Sequence, residues 1–146
     1  MYRFPQPPIH DAPIAGILPW VQWFTRVVAY FRVEEPVLPT LGAGWNNFGS
    51  GFEDAQYWKD NASGTVHIQG LVQYPTGSPT PGDVIFVLPN GYRPRKILTF
   101  TVGTANTSTS HTIGQCHIYP NGNVTYQQGS YKYYFELNGI TFRTYE

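Results

Sequence analysis

Acidic, sulfur and imidazole side chains are the groups in this sequence that could support catalysis. Glu53 and Asp54 are adjacent carboxylates. Neighbours on a strand point to opposite faces, which is wrong for two groups that must flank one glycosidic bond. Cys116 and His117 are neighbours in the same way, and no CxxC, HxH or HExxH spacing supports a zinc site. We therefore expect solvated carboxylates and a small, buried, apolar Cys116.

The remaining histidines and the Gly-x-Gly motifs give equally weak signals for chemistry. His67 and His111 are isolated in sequence and are expected to be hydrogen-bonded strand or loop residues, although a threefold axis could gather three copies of one histidine. Gly-x-Gly at 42–44 and 49–51 precedes no strand-to-helix turn with a lysine, so no phosphate loop is expected. The sequence predicts a protein that is not an enzyme and that needs no cofactor or metal. An enzyme acting on surface polysaccharide is the weakest alternative.

Composition favours a β protein whose partners are not nucleic acids. Of 146 residues only 12% are charged and 16% are aromatic, and 15 glycines with 13 prolines suit many short strands joined by tight turns. Nine basic residues balance nine acidic ones, so the field that attracts phosphate backbones is missing. No apolar stretch approaches the roughly 20 residues of a membrane span. We expect no nucleic-acid partner and no membrane insertion.

The beginning of the chain, MYRFPQPPIHDAP, lacks the basic and continuous apolar regions of a secretory signal. Synthesis in the cytoplasm is therefore expected. The three Asn-x-Ser/Thr sequons, at Asn61, Asn106 and Asn123, are then better explained as turn chemistry than as glycosylation sites.

An amphipathic helix is predicted over residues 13–35, between an extended Pro-rich arm (1–12) and a Pro/Gly linker (36–44). About four turns of helix are marginal alone, so the apolar stripe needs a partner surface. It could pack on its own chain's head or on copies of itself as a short coiled coil, and we favour the second. The predicted trimer-interface residues are Ile17, Trp20, Val21, Phe24, Val27, Val28 and Phe31.

From Trp45 onward the apolar pattern predicts an antiparallel, jelly-roll-like β-sandwich head over residues 45–146, with seven or eight strands. Two Asn-Gly pairs, 121–122 and 138–139, each predict a hairpin, and the Thr/Ser-rich stretch 104–112 is expected to be a mobile loop. The clearest predicted strands are 65–72, 84–88, 97–102, 115–119, 124–126, 131–137 and 140–143.

The head has more tyrosines than a small core can bury with satisfied hydroxyl groups. Some must lie at an interface or on the surface, where aromatic faces suit both subunit contacts and sugar rings. Intersubunit packing is favoured over ligand stacking, with Tyr126, Tyr131 and Tyr133 as the candidate ligand-binding residues. The one basic cluster, Arg93 to Lys96, is expected to be a solvated turn or an intersubunit ion pair.

A series of motifs from Gly44 onward resembles the trimeric β-sandwich heads of bacteriophage tail-fibre, head-fibre and receptor-binding proteins. The resemblance covers about the last hundred residues, and the segment Leu88 to Pro94 is its most telling part. The residues that carry it are GWNNFG (44–49), YWKD (57–60), GTVHIQG (64–70), IFVLP (85–89), GYRP (91–94), IYPNGNV (118–124) and LNGITF (137–142).

This resemblance implies a homotrimeric phage structural protein located on the virion. The N-terminal arm would contact other virion proteins, and the outward head would bind a host-surface glycan or protein through loops such as 104–112 and 126–131. The alternative within the same class is a capsid decoration or cement protein, or a head fibre, that stabilises the capsid.

Overall fold

A computed structural model describes residues 4–7 and 18–144 of the chain. Within these residues one helix is followed by ten strands. Helix α1 spans Leu18–Phe31, and the strands are β1 Asn46–Asn47, β2 Gln56–Asp60, β3 Thr65–Gln69, β4 Leu71–Gln73, β5 Val84–Val87, β6 Leu98–Thr107, β7 Ser110–Ile118, β8 Asn123–Gln128, β9 Tyr134–Glu136 and β10 Ile140–Arg143.

The strands form two antiparallel sheets. The larger has the order β1-β4-β9-β6-β7-β8-β5 and the smaller the order β10-β3-β2. Rings from the two sheets meet between them, with Tyr57 of β2 stacked 6.3 Å from Phe86 of β5 and Phe100 of β6 lying 6.5 Å from Phe142 of β10. The predicted all-β antiparallel sandwich with a short N-terminal helix is confirmed.

Two corners carry the chain between the sheets. Gly70, with φ of 114°, separates β3 in the small sheet from β4 in the large sheet, so the predicted strand 65–72 is really two. The Asn138-Gly139 turn likewise separates β9 from β10, which lie in different sheets. The predicted closing hairpin at this turn is therefore wrong. The Asn-Gly pair correctly indicates a tight turn, but β9 pairs with β4 and β6 and not with β10.

The stretch 104–112, predicted as a loop, instead forms the end of a long β6–β7 hairpin. Residues Thr104 and Thr112 are cross-strand partners, and their Oγ1 atoms lie 2.9 Å apart in a hydrogen bond. Threonine is β-branched and favours strands, and this preference outweighs the turn-like composition of the segment. The loop prediction is corrected accordingly, with the turn confined to residues near 108 and 109.

Helix α1 ends at Phe31, four residues before the predicted boundary at 35, because the chain then joins the small sheet. Val33 and Val37 form antiparallel bridges with Asp60 and Tyr57 of β2. The amide of Val37 donates to the carbonyl of Tyr57 at 2.8 Å, and the amide of Tyr57 donates back at 3.0 Å. Part of the predicted linker is thus fastened to the head. The predicted helix start at 13, and all of the arm 1–12 except residues 4–7, lie outside the described residues.

The core lies between the sheets and includes Cys116, whose side chain is fully buried, as the sequence predicted. Burial raises the pKa of the Cys116 thiol to about 12. A thiol in this setting is a small apolar group rather than a nucleophile.

Candidate functional site

The residues with potential for catalysis are scattered through the structure. Glu53 and Asp54 are exposed just before β2. His67 stacks on Trp58 with ring centroids 5.1 Å apart, and His111 shares a 2.8 Å hydrogen bond between Nδ1 and the hydroxyl of Tyr134. Among residues 4–7 and 18–144, no three His, Cys, Asp or Glu side chains come together as metal ligands.

The three tyrosines expected to bind a ligand occupy two different environments. Tyr126 is only 6% exposed, and its hydroxyl donates to the carbonyl of Gly129 at 2.8 Å. Burial, and to a lesser degree the nearby Tyr131, raises the pKa of Tyr126. Tyr131 is half-buried beside it and donates to Ser78 Oγ at 2.8 Å. Tyr126 thus lies in the core, where a ligand cannot stack on its ring.

Tyr133 instead lines a surface groove of about 350 Å³, called here the aromatic groove. Phe135 of β9 and Val72 of β4 are buried in the core, so alternation places Tyr134, Glu136 and Leu71 on the outer face of the large sheet. The residues that line the groove are Phe52, Leu71, Ser108, His111, Tyr133, Tyr134, Glu136 and Asn138.

Aromatic side chains form one side of the aromatic groove. The ring of Phe48 packs against two of them, with its centroid 4.9 Å from that of Tyr133 and 5.4 Å from that of Phe52. Tyr133 and Tyr134 are neighbours whose ring centroids lie 5.9 Å apart, and Tyr134 is hydrogen-bonded to His111. The edge-to-face contacts of Phe48 and the hydrogen bond of Tyr134 fix the orientation of these rings. The groove therefore offers flat apolar surfaces that are already in position.

The Glu136 carboxylate is held in the same groove by its neighbours. Asn138 Nδ2 donates to Glu136 Oε1 at 3.0 Å, and Asn138 Oδ1 accepts from the amide of Gly70 at 2.8 Å. The other oxygen, Oε2, lies over Gly103, where an added Cβ would come within 2.4 Å of it. Sequence reasoning missed Glu136, Asn138 and Gly103, because pairing of β9 with β6 sets Glu136 beside Gly103, and the two corners between the sheets bring Asn138 to Gly70.

A second, larger groove, of about 600 Å³, is basic. Its lining residues are Pro94, Arg95, Lys96, Leu98, Phe142 and Arg143. The cluster predicted from the sequence is divided, since Arg93 points away and donates from Nε to the carbonyl of Leu88 at 2.9 Å. Arg143 joins from β10, which no local pattern could indicate.

The apolar stripe of α1 has two unequal sides. On one side Trp20 and Val27 are half-buried, as are Trp23 and Tyr30. Nε1 of Trp23 donates to the carbonyl of Pro5 at 3.1 Å. The hydroxyl of Tyr30 donates to the carbonyl of Ala62 at 3.4 Å. The opposite side is exposed and contains Val21, Phe24, Val28 and Phe31. Ile17, also predicted at the interface, lies outside the described residues.

The exposed side of α1 forms a shallow apolar depression of about 380 Å³ lined by Val21, Phe24, Thr25 and Val28. Phe24 is 56% exposed although it is a large apolar side chain. Over the described part of the chain, α1 included, no helix is long and apolar enough to cross a membrane. An exposed apolar patch of this kind is typical of a contact with another protein surface.

No protein-family model and no curated protein matches this chain. Among solved structures it is similar to the receptor-binding protein (gp15) of Listeria phage PSA, with a TM-score of 0.61 and 17% sequence identity. The match covers 94% of this chain and 90% of that chain. This share exceeds the head alone, since 45–146 accounts for 102 of the 146 residues. The two proteins share a fold that extends beyond the β-sandwich.

Proposed function

We propose that this protein is a receptor-binding protein of a bacteriophage virion and that the aromatic groove binds a host-surface glycan. The observation that carries the proposal is a preformed aromatic groove on a fold shared with a phage receptor-binding protein. In this proposal the groove takes the place of the predicted loop surface. It keeps Tyr133 from the predicted ligand-binding tyrosines and Ser108 and His111 from the predicted loop 104–112.

The chemistry of the aromatic groove suits sugars. The CH faces of a sugar ring can stack on Tyr133 and Tyr134, while its hydroxyl groups can bond Glu136, Asn138 and Ser108. A groove of about 350 Å³ is near the small end of ligand pockets, so it suits a short segment of glycan rather than a long chain. Each site is therefore weak, and useful affinity requires several sites on one particle.

Trimerisation through α1 would supply that multiplicity. A 14-residue helix is marginal alone, and its exposed apolar side is covered by nothing in the single chain among the described residues. Three copies packed through Val21, Phe24, Val28 and Phe31 would bury this side and present three heads. The arm 1–12 would then contact other virion proteins.

The test compares purified Tyr133→Ala and Tyr134→Ala proteins with the unmodified protein on an array of bacterial surface polysaccharides. The unmodified protein should bind a subset of these glycans, and each variant should bind at least about fivefold more weakly, because stacking on an aromatic ring contributes on the order of 1 kcal/mol or more. Tyr119→Ala is the matched control, since Tyr119 is half-buried and lies outside the groove. Unchanged binding by both groove variants, or no binding by the unmodified protein, would overturn the proposal.

A further inference from the structure

The aromatic groove has a negative electrostatic character. Glu136 is the one acidic residue among the side chains that line it, and neither lysine nor arginine is among them. The faces of Tyr133 and Tyr134 also favour positive charge, because the ring quadrupole places negative density there. Carboxylate and rings therefore attract the same kind of group.

The carboxylate is also fixed in place before any ligand arrives. Asn138 donates to Oε1, and Asn138 is itself fastened to the backbone of Gly70. Within the described part of the chain no group donates a hydrogen bond to Oε2, which lies over the bare backbone of Gly103. An acceptor that is already held in position loses little conformational entropy on binding. Most of the free energy of a new hydrogen bond to Oε2 therefore contributes to affinity.

We propose that the aromatic groove selects sugars that carry a free, protonated amino group, and that Glu136 determines this selectivity. The inference rests on the proposed function, since it specifies the class of glycan that the same groove binds. The ammonium group would donate to Glu136 Oε2 while the sugar ring stacks on Tyr133 or Tyr134.

Comparing an amino sugar with its N-acetylated form distinguishes selection of the amine from sugar binding in general. Acetylation leaves the sugar ring and its hydroxyl groups intact but removes the positive charge and two of the donors. Hydrogen bonds between charged groups are roughly twice as strong as neutral ones, and a cation beside an aromatic ring adds to this. A neutral N-acetyl sugar should therefore bind about tenfold more weakly than the amino sugar.

The probes are two oligosaccharides of equal length and linkage, one of glucosamine and one of N-acetylglucosamine. Calorimetry at neutral pH should show that the unmodified protein binds the glucosamine oligomer about tenfold more tightly. Glu136→Gln should lose most of this preference, because the amide keeps the shape of the side chain but not its charge, and only the weaker attraction of the rings for the cation remains. Glu53→Gln is the matched control, since Glu53 is an exposed carboxylate outside the groove.

Gly103→Ala gives a second test that leaves Glu136 itself unchanged. The added methyl group would come within 2.4 Å of Oε2, at the far end of a flexible side chain, so the carboxylate must move while the fold persists. The preference for the amine should fall together with that displacement. Thermal unfolding of the variant confirms that the fold is kept.

The outcomes separate this inference from the proposed function. Equal affinity of the unmodified protein for the two oligomers, or a preference that Glu136→Gln leaves undiminished, would overturn the inference while glycan binding stands. We expect weaker binding of both oligomers by Tyr133→Ala, and a strong loss of the preference for the amine in the Glu136 and Gly103 variants.

Discussion

The hydroxyl group of Tyr92 donates a hydrogen bond to the carboxylate of Glu34, which joins the segment after the helix to the loop after β5. The buried Lys59 lies beside this pair. Its Nζ donates to the carbonyl of Gly91 at 3.0 Å and lies 5.0 Å from the centre of the Tyr92 ring. Three side chains from distant parts of the sequence thus fasten the end of the helix to the head.

Tyr92→Phe should lower the free energy of unfolding by about 2 kcal/mol, because it removes a hydrogen bond to a charged group. The measurement is urea denaturation followed by tryptophan fluorescence. Tyr119→Phe is the control, since the hydroxyl of Tyr119 makes no hydrogen bond that the described residues show, and its midpoint should not move. Equal midpoints for the two variants would mean that Tyr92 contributes through its ring alone.

Cys116 should resist alkylation in the folded protein. Its side chain is fully buried and its pKa is raised to about 12, so at pH 8 the reactive thiolate is scarce. Iodoacetamide should label the thiol only after denaturation, as mass spectrometry would show. The raised pKa also means that stability falls as the pH rises from 9 toward 12, because the unfolded thiol ionises first. Rapid labelling of the native protein at pH 8 would contradict the buried placement.

The Asn-Gly turns at 121–122 and 138–139 should respond differently to alanine. Gly122 has φ of 95° and Gly139 has φ of 80°, so both substitutions strain the backbone by about 1 kcal/mol. At Gly122 the new methyl group would also lie 2.3 Å from the carbonyl oxygen of Leu88, whereas at Gly139 nothing lies within 4 Å. Gly122→Ala should therefore cost about 3 kcal/mol in chemical denaturation, and Gly139→Ala about 1 kcal/mol. Equal losses of unfolding free energy in the two variants would show that the close contact with the Leu88 carbonyl oxygen is relieved at no cost.

These two turns also show what the sequence could predict. Both contain Asn-Gly, and both are tight turns, because glycine tolerates positive φ as a local property. Only the turn at Gly122 joins paired strands, β7 and β8, as predicted. The turn at Gly139 is a corner between sheets, and this depends on partners of β9 and β10 that are far away in the chain.

The candidate site was harder to predict than the fold for the same reason. An excess of tyrosines indicated that some rings lie outside the core, but period-two patterns do not say which face is covered. Tyr126 proved to be in the core and Tyr133 at the groove. Glu136 lies beside Gly103 because β9 pairs with the distant strand β6, and Asn138 reaches Gly70 because the chain changes sheets at both residues.

Phe24→Asp tests the proposed trimer, and the structure makes it a clean test. Phe24 is 56% exposed on α1, so in a single chain the carboxylate would remain in water and the head would have no reason to unfold. In a trimer the same residue would lie between helices, where burying an unpaired charge costs several kcal/mol in each chain. Light scattering coupled to gel filtration should therefore give the mass of three chains for the unmodified protein and of one chain for the variant.

Gln22→Asp is the matched control for that substitution, because it places the same charge on the same helix at an exposed position, 200° around the helix axis from Phe24 by the usual 100° per residue. It should remain trimeric. Far-UV circular dichroism of both variants checks that the β-sandwich is kept. A monomeric unmodified protein would exclude the trimer altogether. A Phe24→Asp protein that is still trimeric would show that the subunits meet through the heads, and the exposed side of α1 would then be free to contact another virion protein.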